Sequence, residues 1–417
     1  MEIQHQIVKD INKIKNKKIG RILVLTGARQ VGKTTLVKHL LPEYEYISVE
    51  DPVTRTDYAK LTSEQWHSFY PQAALDEVQK EPSLIESIKA TYDKFDDVRY
   101  VLLGSSQILL LKKIKESLAG RCTIIDMYPL TLPELETIGF DTEVRESAWQ
   151  RLLANRGTKP IFAPSFNMDK RAAQIRQVWD YYTTYGGYPA LTDEEMTHES
   201  RFLWLKNYVR TYLERDIQDL AMLRDLEPFI KLQKAIAVNT AQTVNLASLA
   251  ADLQVSAKTV QRYIEYLNVS YQTLLLPAWS ANQAKRLSRA PKIHYMDYGV
   301  LQAVVGKQGG MTGAEFESLL VTELYKQAKN IQSNATFYHL RTHDGMEVDL
   351  LVETQDGYFA FEFKQTEHVS RTDARHLLRV EGMLDKPLLH AFVLSNDLQT
   401  KEISDKVTAV NAALLLG

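Results

Sequence analysis

Gly27-Ala28-Arg29-Gln30-Val31-Gly32-Lys33-Thr34 is an octet bounded by glycines that ends in a lysine and a hydroxyl. The spacing matches the phosphate loop G-x-x-x-x-G-K-[ST] in full. Glycines let the backbone curl so that its N–H groups face an anion. Lys33 would then neutralise the β- and γ-phosphates of ATP, and Thr34 would offer its hydroxyl to Mg²⁺. Ala28, Arg29, Gln30 and Val31 complete the cradle, and Thr35 would lie toward the α-phosphate.

Such a loop needs an acid to complete the metal shell. Ala73-Ala74-Leu75-Asp76-Glu77 is the candidate between residues 40 and 110. Asp76 at a strand end would hold Mg²⁺ through water, and Glu77 would orient or deprotonate the attacking water. An exposed carboxylate pair at a helix start is the plainer alternative. Val101-Leu102-Leu103-Gly104-Ser105-Ser106 ends a strand in hydroxyls. Ser105 or Ser106 could sense the γ-phosphate, although a serine capping a helix fits equally well. Arg121 could stabilise transition-state charge, in cis or from a neighbouring subunit, or could be a solvated surface arginine. The trans role would require a homo-oligomer, expected as a ring.

A second constellation lies between residues 317 and 364. Tyr358-Phe359-Ala360-Phe361-Glu362-Phe363-Lys364 alternates strictly, with Glu362 and Lys364 on one face. Gln355-Asp356-Gly357 before it is a hairpin signal. With Asp356-Gly357 as a two-residue loop, Asp349 lies opposite Lys364 and diagonal to Glu362. Two carboxylates would hold Mg²⁺ or Mn²⁺, and Lys364 would help activate water. Glu317 could supply an upstream acid, with Glu323 a second candidate. The plainer alternative is a hairpin whose charges pair across strands. The D…E-x-K arrangement resembles restriction-endonuclease-like nucleases. His339 and His343 are four apart on a strand and turn, so a zinc pair is not expected there.

The elements that must position these groups follow from periodicity. Arg21-Ile22-Leu23-Val24-Leu25-Thr26 reads as a strand buried on both faces, and a helix follows from Lys33. Strand and helix alternate to about residue 130, which gives an α/β parallel-sheet domain. Residues 141–172 read as an inserted or linking segment. A helical middle follows. Asn245–Leu253 and Ala257–Leu267 form two helices joined by a short turn, with Val260, Ile264 and Leu267 on one face. This is helix-turn-helix geometry, with Thr273-Leu274-Leu275-Leu276 as a wing strand. Lys258, Gln261 and Arg262 would face DNA, and Lys285, Arg286, Arg289 and Lys292 could touch phosphates. A winged helix used only for packing is the alternative. The boundaries expected are 1–190, 191–285 and 286–417.

These segments resemble the bacterial and archaeal ATPases that pair an AAA-type domain (AAA_14) with a C-terminal domain called DUF4143. The resemblance rests on Thr26–Thr35, Leu75-Asp76-Glu77-Val78-Gln79, Gly104-Ser105-Ser106, Leu118-Ala119-Gly120-Arg121 and Tyr128-Pro129-Leu130. It continues through Gly186-Gly187-Tyr188-Pro189, Tyr212-Leu213-Glu214-Arg215-Asp216, Pro291–Gly299, Glu347-Val348-Asp349 and Glu362-Phe363-Lys364. It implies an AAA-like ATPase domain, a winged-helix middle and an α/β restriction-endonuclease-like end. It also favours Arg121 as an arginine finger and Ser105 or Ser106 as a sensor.

The chain has 417 residues, 45% of them apolar and 24% charged, which suits two or three globular domains. A net charge of -2 argues against coating nucleic acid nonspecifically but permits a local basic face. Cys122 is the single cysteine, so no intramolecular disulfide forms, and a reducing cytoplasm fits. Neither a signal peptide nor a run of about 18 apolar residues is evident, so no membrane partner is expected. The functions expected are ATP-driven DNA processing, a nucleotide switch whose C-terminal domains bind a protein partner, and a nuclease gated by nucleotide.

Overall fold

The computed structural model describes residues 4–15, 20–105, 117–137, 139, 142–154, 161–213, 226–282, 286, 289–343 and 345–417. Ser106, Glu214, Arg215, Asp216 and Lys285 lie outside the described residues.

Five strands build the N-terminal sheet: β1 (Ile22–Gly27), β2 (Glu45–Ser48), β3 (Gln72–Asp76), β4 (Arg99–Ser105) and β5 (Cys122–Met127). Their order is β2-β3-β4-β1-β5, and every pairing is parallel. Alternation along β1 serves two cores. Leu23 and Leu25 pack with Ile7, Ile11, Leu36 and Val37 on one face. Ile22 and Val24 pack with Trp66, Leu84, Ile85 and Ile88 on the other. A sheet covered on both faces needs such continuous apolar strands. β3 reaches the same burial with Ala73 and Ala74, so weak strand propensity does not stop it pairing. The sheet brings Gly27, Asp76 and Ser105 to one edge, the carboxyl ends of the strands, where open α/β sheets bind ligands.

The middle unit contains the helix pair Leu246–Leu253 and Ala257–Val269. Asn245 and Ser256 cap their first turns by accepting from Ser248 N and Thr259 N, each at 3.1 Å. Gln254 turns the chain with φ 55°. The accompanying sheet is built from β6 (Gln242–Thr243), β7 (Thr273–Leu276) and β8 (Lys292–Tyr295), in the order β6-β8-β7. β8 pairs with both others, so the middle unit runs past residue 285.

The C-terminal sheet has six strands, in the order β13-β14-β12-β11-β10-β9. They are β9 (Thr336–Arg341), β10 (Glu347–Glu353), β11 (Tyr358–Lys364), β12 (Leu388–Ser395), β13 (Lys401–Ser404) and β14 (Val407–Asn411). The helix Gly313–Asn330 packs beside it. The segment read as inserted or linking packs on this core. Trp149 lies 5.5 Å from Phe359 and 5.3 Å from Phe361, centroid to centroid, and its ring N–H donates to Leu324 O at 2.9 Å. Further on, Phe166 N donates to Leu398 O at 2.7 Å and Thr400 N to Pro164 O at 2.9 Å.

Three separated motifs meet at one junction. Leu130 N donates to Gly187 O at 2.7 Å, and Gly187 N donates to Asp297 Oδ2 at 2.8 Å. Asp297 Oδ1 also caps the helix Tyr298–Val305 by accepting from Val300 N at 3.1 Å. A Cβ on Gly187 would fall 2.1 Å from Leu130 O, so only glycine admits this approach.

Candidate nucleotide site and carboxylate cluster

The phosphate loop joins β1 to the helix Lys33–Leu40. Gly27 has φ 149°, and a Cβ there would fall 2.1 Å from Met127 O on β5. Gly32 is left-handed at φ 93° where the helix begins. Ala28 and Val31 are buried, whereas Gln30 and Thr35 are exposed and Arg29 is half-buried. The Lys33 ammonium donates to the carbonyls of Gly27 at 2.8 Å and Ala28 at 2.6 Å. Thr34 Oγ1 donates to Asp76 Oδ2 at 2.7 Å, so a hydroxyl and a carboxylate stand side by side. Tyr46 OH donates to the same oxygen at 2.5 Å, and Glu77 N donates to Asp76 Oδ1 at 2.9 Å. Burial, followed by the Asp76 carboxylate, pushes the Tyr46 hydroxyl well above its usual pKa. This donor set fits a hard cation bound through oxygen and water. Glu77 has φ 58°, a costly conformation for a residue with a side chain, and Gln79 Nε2 donates to its carboxylate. Ser105 ends β4 directly beside Gly27.

Arg121 stands elsewhere. Ile22 pairs with Cys122 and Gly27 with Met127, so Arg121 precedes β5 at the opposite edge of the sheet. Five strand steps separate the two edges, about 17 Å. The cis alternative therefore fails on distance. Arg121 instead holds Asp93 through two bonds, at 2.6 and 3.0 Å.

The second constellation does converge, in a different register. Leu350 pairs with Phe361 and Glu353 with Tyr358, so the next pair outward sets Asp349 opposite Glu362, not Lys364. The turn spans Thr354–Gly357, closed by Thr354 N donating to Gly357 O at 2.8 Å. β10 also shifts register against β9 between Val348 and Leu351. Val348 and Leu351 consequently share one core while Leu350 and Val352 face another. A bulge of this kind re-aims the side chains within it, Asp349 among them. Asp349 Oδ2 accepts from Phe363 N at 2.9 Å, and Lys364 donates to Glu362 Oε1 at 2.8 Å.

Lys292 completes the group from the middle unit. Its ammonium lies 3.0 Å from Glu317, 2.8 Å from Glu347 and 4.0 Å from Asp349, with the side chain 5% exposed. Burial raises the carboxyls of Glu317 to about 8 and Glu362 to about 7, and pushes Asp349 up as well. Burial opposes the charges on Lys292 and Lys364, but their carboxylate partners outweigh it and raise both. Among the described residues no group of three or more His, Cys, Asp or Glu is arranged to hold a metal ion. The expected seat for Mg²⁺ or Mn²⁺ on Asp349 and Glu362 does not fit a metal as arranged, because a lysine stands among the carboxylates. Glu323 is not part of the cluster. It is fully buried, accepting from Leu132 N at 2.8 Å and Tyr182 OH at 2.6 Å.

Family models match three segments: an AAA domain over residues 20–136, a domain of unknown function (DUF8612) over 176–310, and DUF4143 over 312–415. The chain is an AAA-type P-loop ATPase with a C-terminal DUF4143 domain. The uncharacterized protein Rv2008c of Mycobacterium tuberculosis is similar, at 27% identity over 95% of this chain and 81% of the relative. Mb2031c of Mycobacterium bovis, also uncharacterized, matches to the same extent. Among solved structures, a Walker-type ATPase of Pyrococcus abyssi aligns over 72% of this chain and 94% of its own, with TM-score 0.44 and 14% identity. Domain III of the Thermotoga maritima replication initiation protein DnaA aligns over 49% and 91%, with TM-score 0.25 and 15% identity.

In this ATPase, several contacts have no local sequence signature. Tyr271, left-handed at φ 58° between the helix Ala257–Val269 and β7, donates its hydroxyl to Asp126 and lies 3.1 Å from Thr26 Oγ1. Thr26 also donates to Asp126 at 2.7 Å and immediately precedes the phosphate loop. Tyr208 OH donates to Arg29 O within the loop at 3.2 Å. Lys258, Gln261 and Arg262 are exposed on the second helix of the pair, while Val260, Tyr263, Ile264 and Leu267 are buried. A cleft of about 690 Å³ beside them is lined by Asn245, Gln261, Glu265, Leu275 and Arg289. Arg286 is turned inward onto Glu353 at 3.0 Å and Asp385 at 3.4 Å, and Lys292 is buried, so neither presents a charge to DNA phosphates. No helix among the described residues is long and apolar enough to cross a membrane.

Proposed function

We propose that this ATPase couples Mg-ATP turnover to DNA handling by its middle unit, with the C-terminal domain as a nuclease-like module. The observation that carries this reading is Tyr271. One small domain touches the base of the phosphate loop through Tyr271, presents Lys258, Gln261 and Arg262 to solvent, and sends Lys292 into the carboxylate cluster. A nucleotide-dependent shift of that domain would reach both ends of the molecule. Thr34 and Asp76 would hold Mg²⁺, Glu77 would orient water, and Ser105 or Ser106 would sense the γ-phosphate.

The test measures ATP turnover and strand cutting on labelled single-stranded, duplex and branched DNA, with Mg²⁺ or Mn²⁺ and with or without ATP. Turnover stimulated by DNA, and lost with its stimulation in a Lys258→Ala/Arg262→Ala variant, supports the reading. Cutting that disappears in Lys364→Ala would establish the nuclease, and a Lys33→Ala lane would reveal gating by ATP. Turnover indifferent to every DNA would leave the second reading, a nucleotide switch whose C-terminal domains bind a protein partner. The lysine among the carboxylates favours that second reading.

The distance of Arg121 from its own phosphate loop supports a role in trans, which would require an oligomer, over a role in cis. The expected result is a loss of about 10³-fold or more in turnover for Arg121→Ala, the scale of an arginine finger. Mixing variant with wild-type subunits should depress activity more than in proportion. A strictly additive loss would return Arg121 to its Asp93 pair as a structural residue.

A further inference from the structure

We infer that an uncharged cavity, set between the helices Ala172–Tyr185 and Tyr298–Val305 and the carboxyl ends of β11 and β12, binds a planar base carrying an amino group, of the adenine type. The inference goes beyond the proposed function, since it requires neither DNA handling nor strand cutting.

The cavity measures about 300 Å³, and Trp179, Tyr298, Gln302, Met311, Gln365 and Asn396 are among the residues that line it. That volume is at the small end for a ligand site and suits a single ring system. Three parts of the chain build it. Tyr298 and Gln302 lie one turn apart on one helix and so share a face. Gln365 and Asn396 follow β11 and β12, whose parallel register ends with Lys364 beside Ser395. The carboxyl ends of parallel strands are where α/β sheets place ligands. Met311 completes the wall, its carbonyl accepting from Gln365 Nε2 at 2.9 Å.

Three features select the ligand. First, no charged side chain lines the cavity among the described residues. Lys307 precedes the lining glycines Gly309 and Gly310, but its ammonium is held by Gly310 O at 3.1 Å and Glu315 Oε2 at 2.6 Å. A phosphate or carboxylate would find no counter-charge there. Second, Trp179 is half-buried and stacks on no other ring among the described residues, so its indole is open to a planar ligand. Third, Gln302 is 1% exposed and its Oε1 has no hydrogen-bond partner, nor has the buried Tyr298 hydroxyl. Burial raises the pKa of that hydroxyl and the neighbouring Gln302 side chain opposes the rise, but the two groups do not reach hydrogen-bond geometry. A buried acceptor in that state calls for a donor from outside. An exocyclic amine supplies one, and a side-chain amide matches the amino group and adjacent ring nitrogen of adenine with an acceptor and a donor.

Equilibrium dialysis of the full chain with adenosine, purine riboside (the same nucleoside without its amino group) and adenosine 5′-monophosphate tests this. All proteins would carry Lys33→Ala, which weakens the phosphate-loop site. Adenosine should bind on the order of 10-fold more tightly than purine riboside, the scale of one hydrogen bond. The monophosphate should bind no more tightly than adenosine. Trp179→Ala should weaken adenosine by about 10-fold or more, the scale of a lost stacking partner. Asn396→Leu should weaken it as well, and Gln302→Leu should erase the preference for the amino group. Trp179 and Asn396 are only partly buried, so they decide the matter if the Gln302 variant does not fold. A single-stranded dA oligonucleotide, run in parallel, distinguishes the source. Binding of the oligonucleotide that falls in Trp179→Ala identifies an unstacked base of a strand, whereas binding of adenosine alone identifies a free nucleoside, and both support the site. Adenosine binding untouched by Trp179→Ala and Asn396→Leu would overturn it, because the ligand would then sit elsewhere. Equal binding of purine riboside, tighter binding of the monophosphate, or no binding of either adenosine or the oligonucleotide would overturn it too.

Discussion

Replacing Glu77 by Gln is expected to lower ATP turnover about 10²- to 10⁴-fold while ATP and Mg²⁺ remain bound. The reason is local. Asp76 is already engaged by Thr34 and Tyr46, and in the proposed reading it serves the metal side of the site. Glu77 follows it in the left-handed region, which turns its carboxylate away from the direction β3 would otherwise give it. Holding a residue there costs energy, and such cost concentrates where function demands a geometry. Gln79 fixes the carboxylate by donating to it. The glutamine variant keeps the shape but has no basic carboxylate to orient and deprotonate water. Lys33→Ala provides the contrast, because it should weaken nucleotide binding as well as turnover. Isothermal titration with ATP separates the two, alongside steady-state turnover. A Glu77→Gln protein that turns over at the parental rate would assign the water to another group.

The second large effect concerns the joint between the domains. Glu323→Ala should destabilise the protein by about 3–5 kcal/mol, the cost of breaking a buried ion pair from one side. Glu323 and Lys326 have fully buried side chains 3.1 Å apart. Tyr182 bridges them, accepting from Lys326 at 2.7 Å and donating to Glu323 at 2.6 Å. Glu323 also accepts from Leu132 N in the ATPase domain, and Gln327 donates to it at 2.8 Å. Alanine would leave the Lys326 ammonium without its counter-charge, and the Tyr182 phenol and the Leu132 N–H without their acceptor. Urea unfolding should move to a clearly lower midpoint. A Glu323→Met/Lys326→Met double variant should recover much of the loss, since no charge is then left unpaired. If the single variant unfolds at the parental midpoint, water must reach the pair and the joint is not dry.

The arginine and lysine assignments show where reading by pattern stops. Arg121 belongs to a turn whose residues suit a phosphate, yet the parallel register of β1 and β5 carries it to the far edge of the sheet. Lys292 reads as one basic residue in a polar stretch. Its destination depends on β8 pairing with strands up to 50 residues earlier in the chain. Glu317 and Glu323 are separated by six positions on one helix and look alike in sequence. The first faces the carboxylate cluster, and the second faces Leu132 and Tyr182.

Features governed by short-range backbone chemistry are legible in the residues alone. Gly27 and Gly32 need positive φ, an apolar strand precedes them and a helix follows, so the phosphate loop is legible over a dozen residues. Asn245 and Ser256 announce the helix pair by capping it. Alternation in Tyr358–Lys364 gives a strand with Glu362 and Lys364 on one side. The partners of these groups depend on long-range packing. A turn over Thr354–Gly357 places Asp349 opposite Glu362 rather than Lys364. The helix at Ala148–Ala154 joins the C-terminal core because Trp149 meets Phe359 and Phe361 more than 200 residues away. Turn type and capping are set by energies within a few residues. Register, burial and ion-pair partners are set by contacts between segments distant in sequence, and no local pattern encodes which of them will meet.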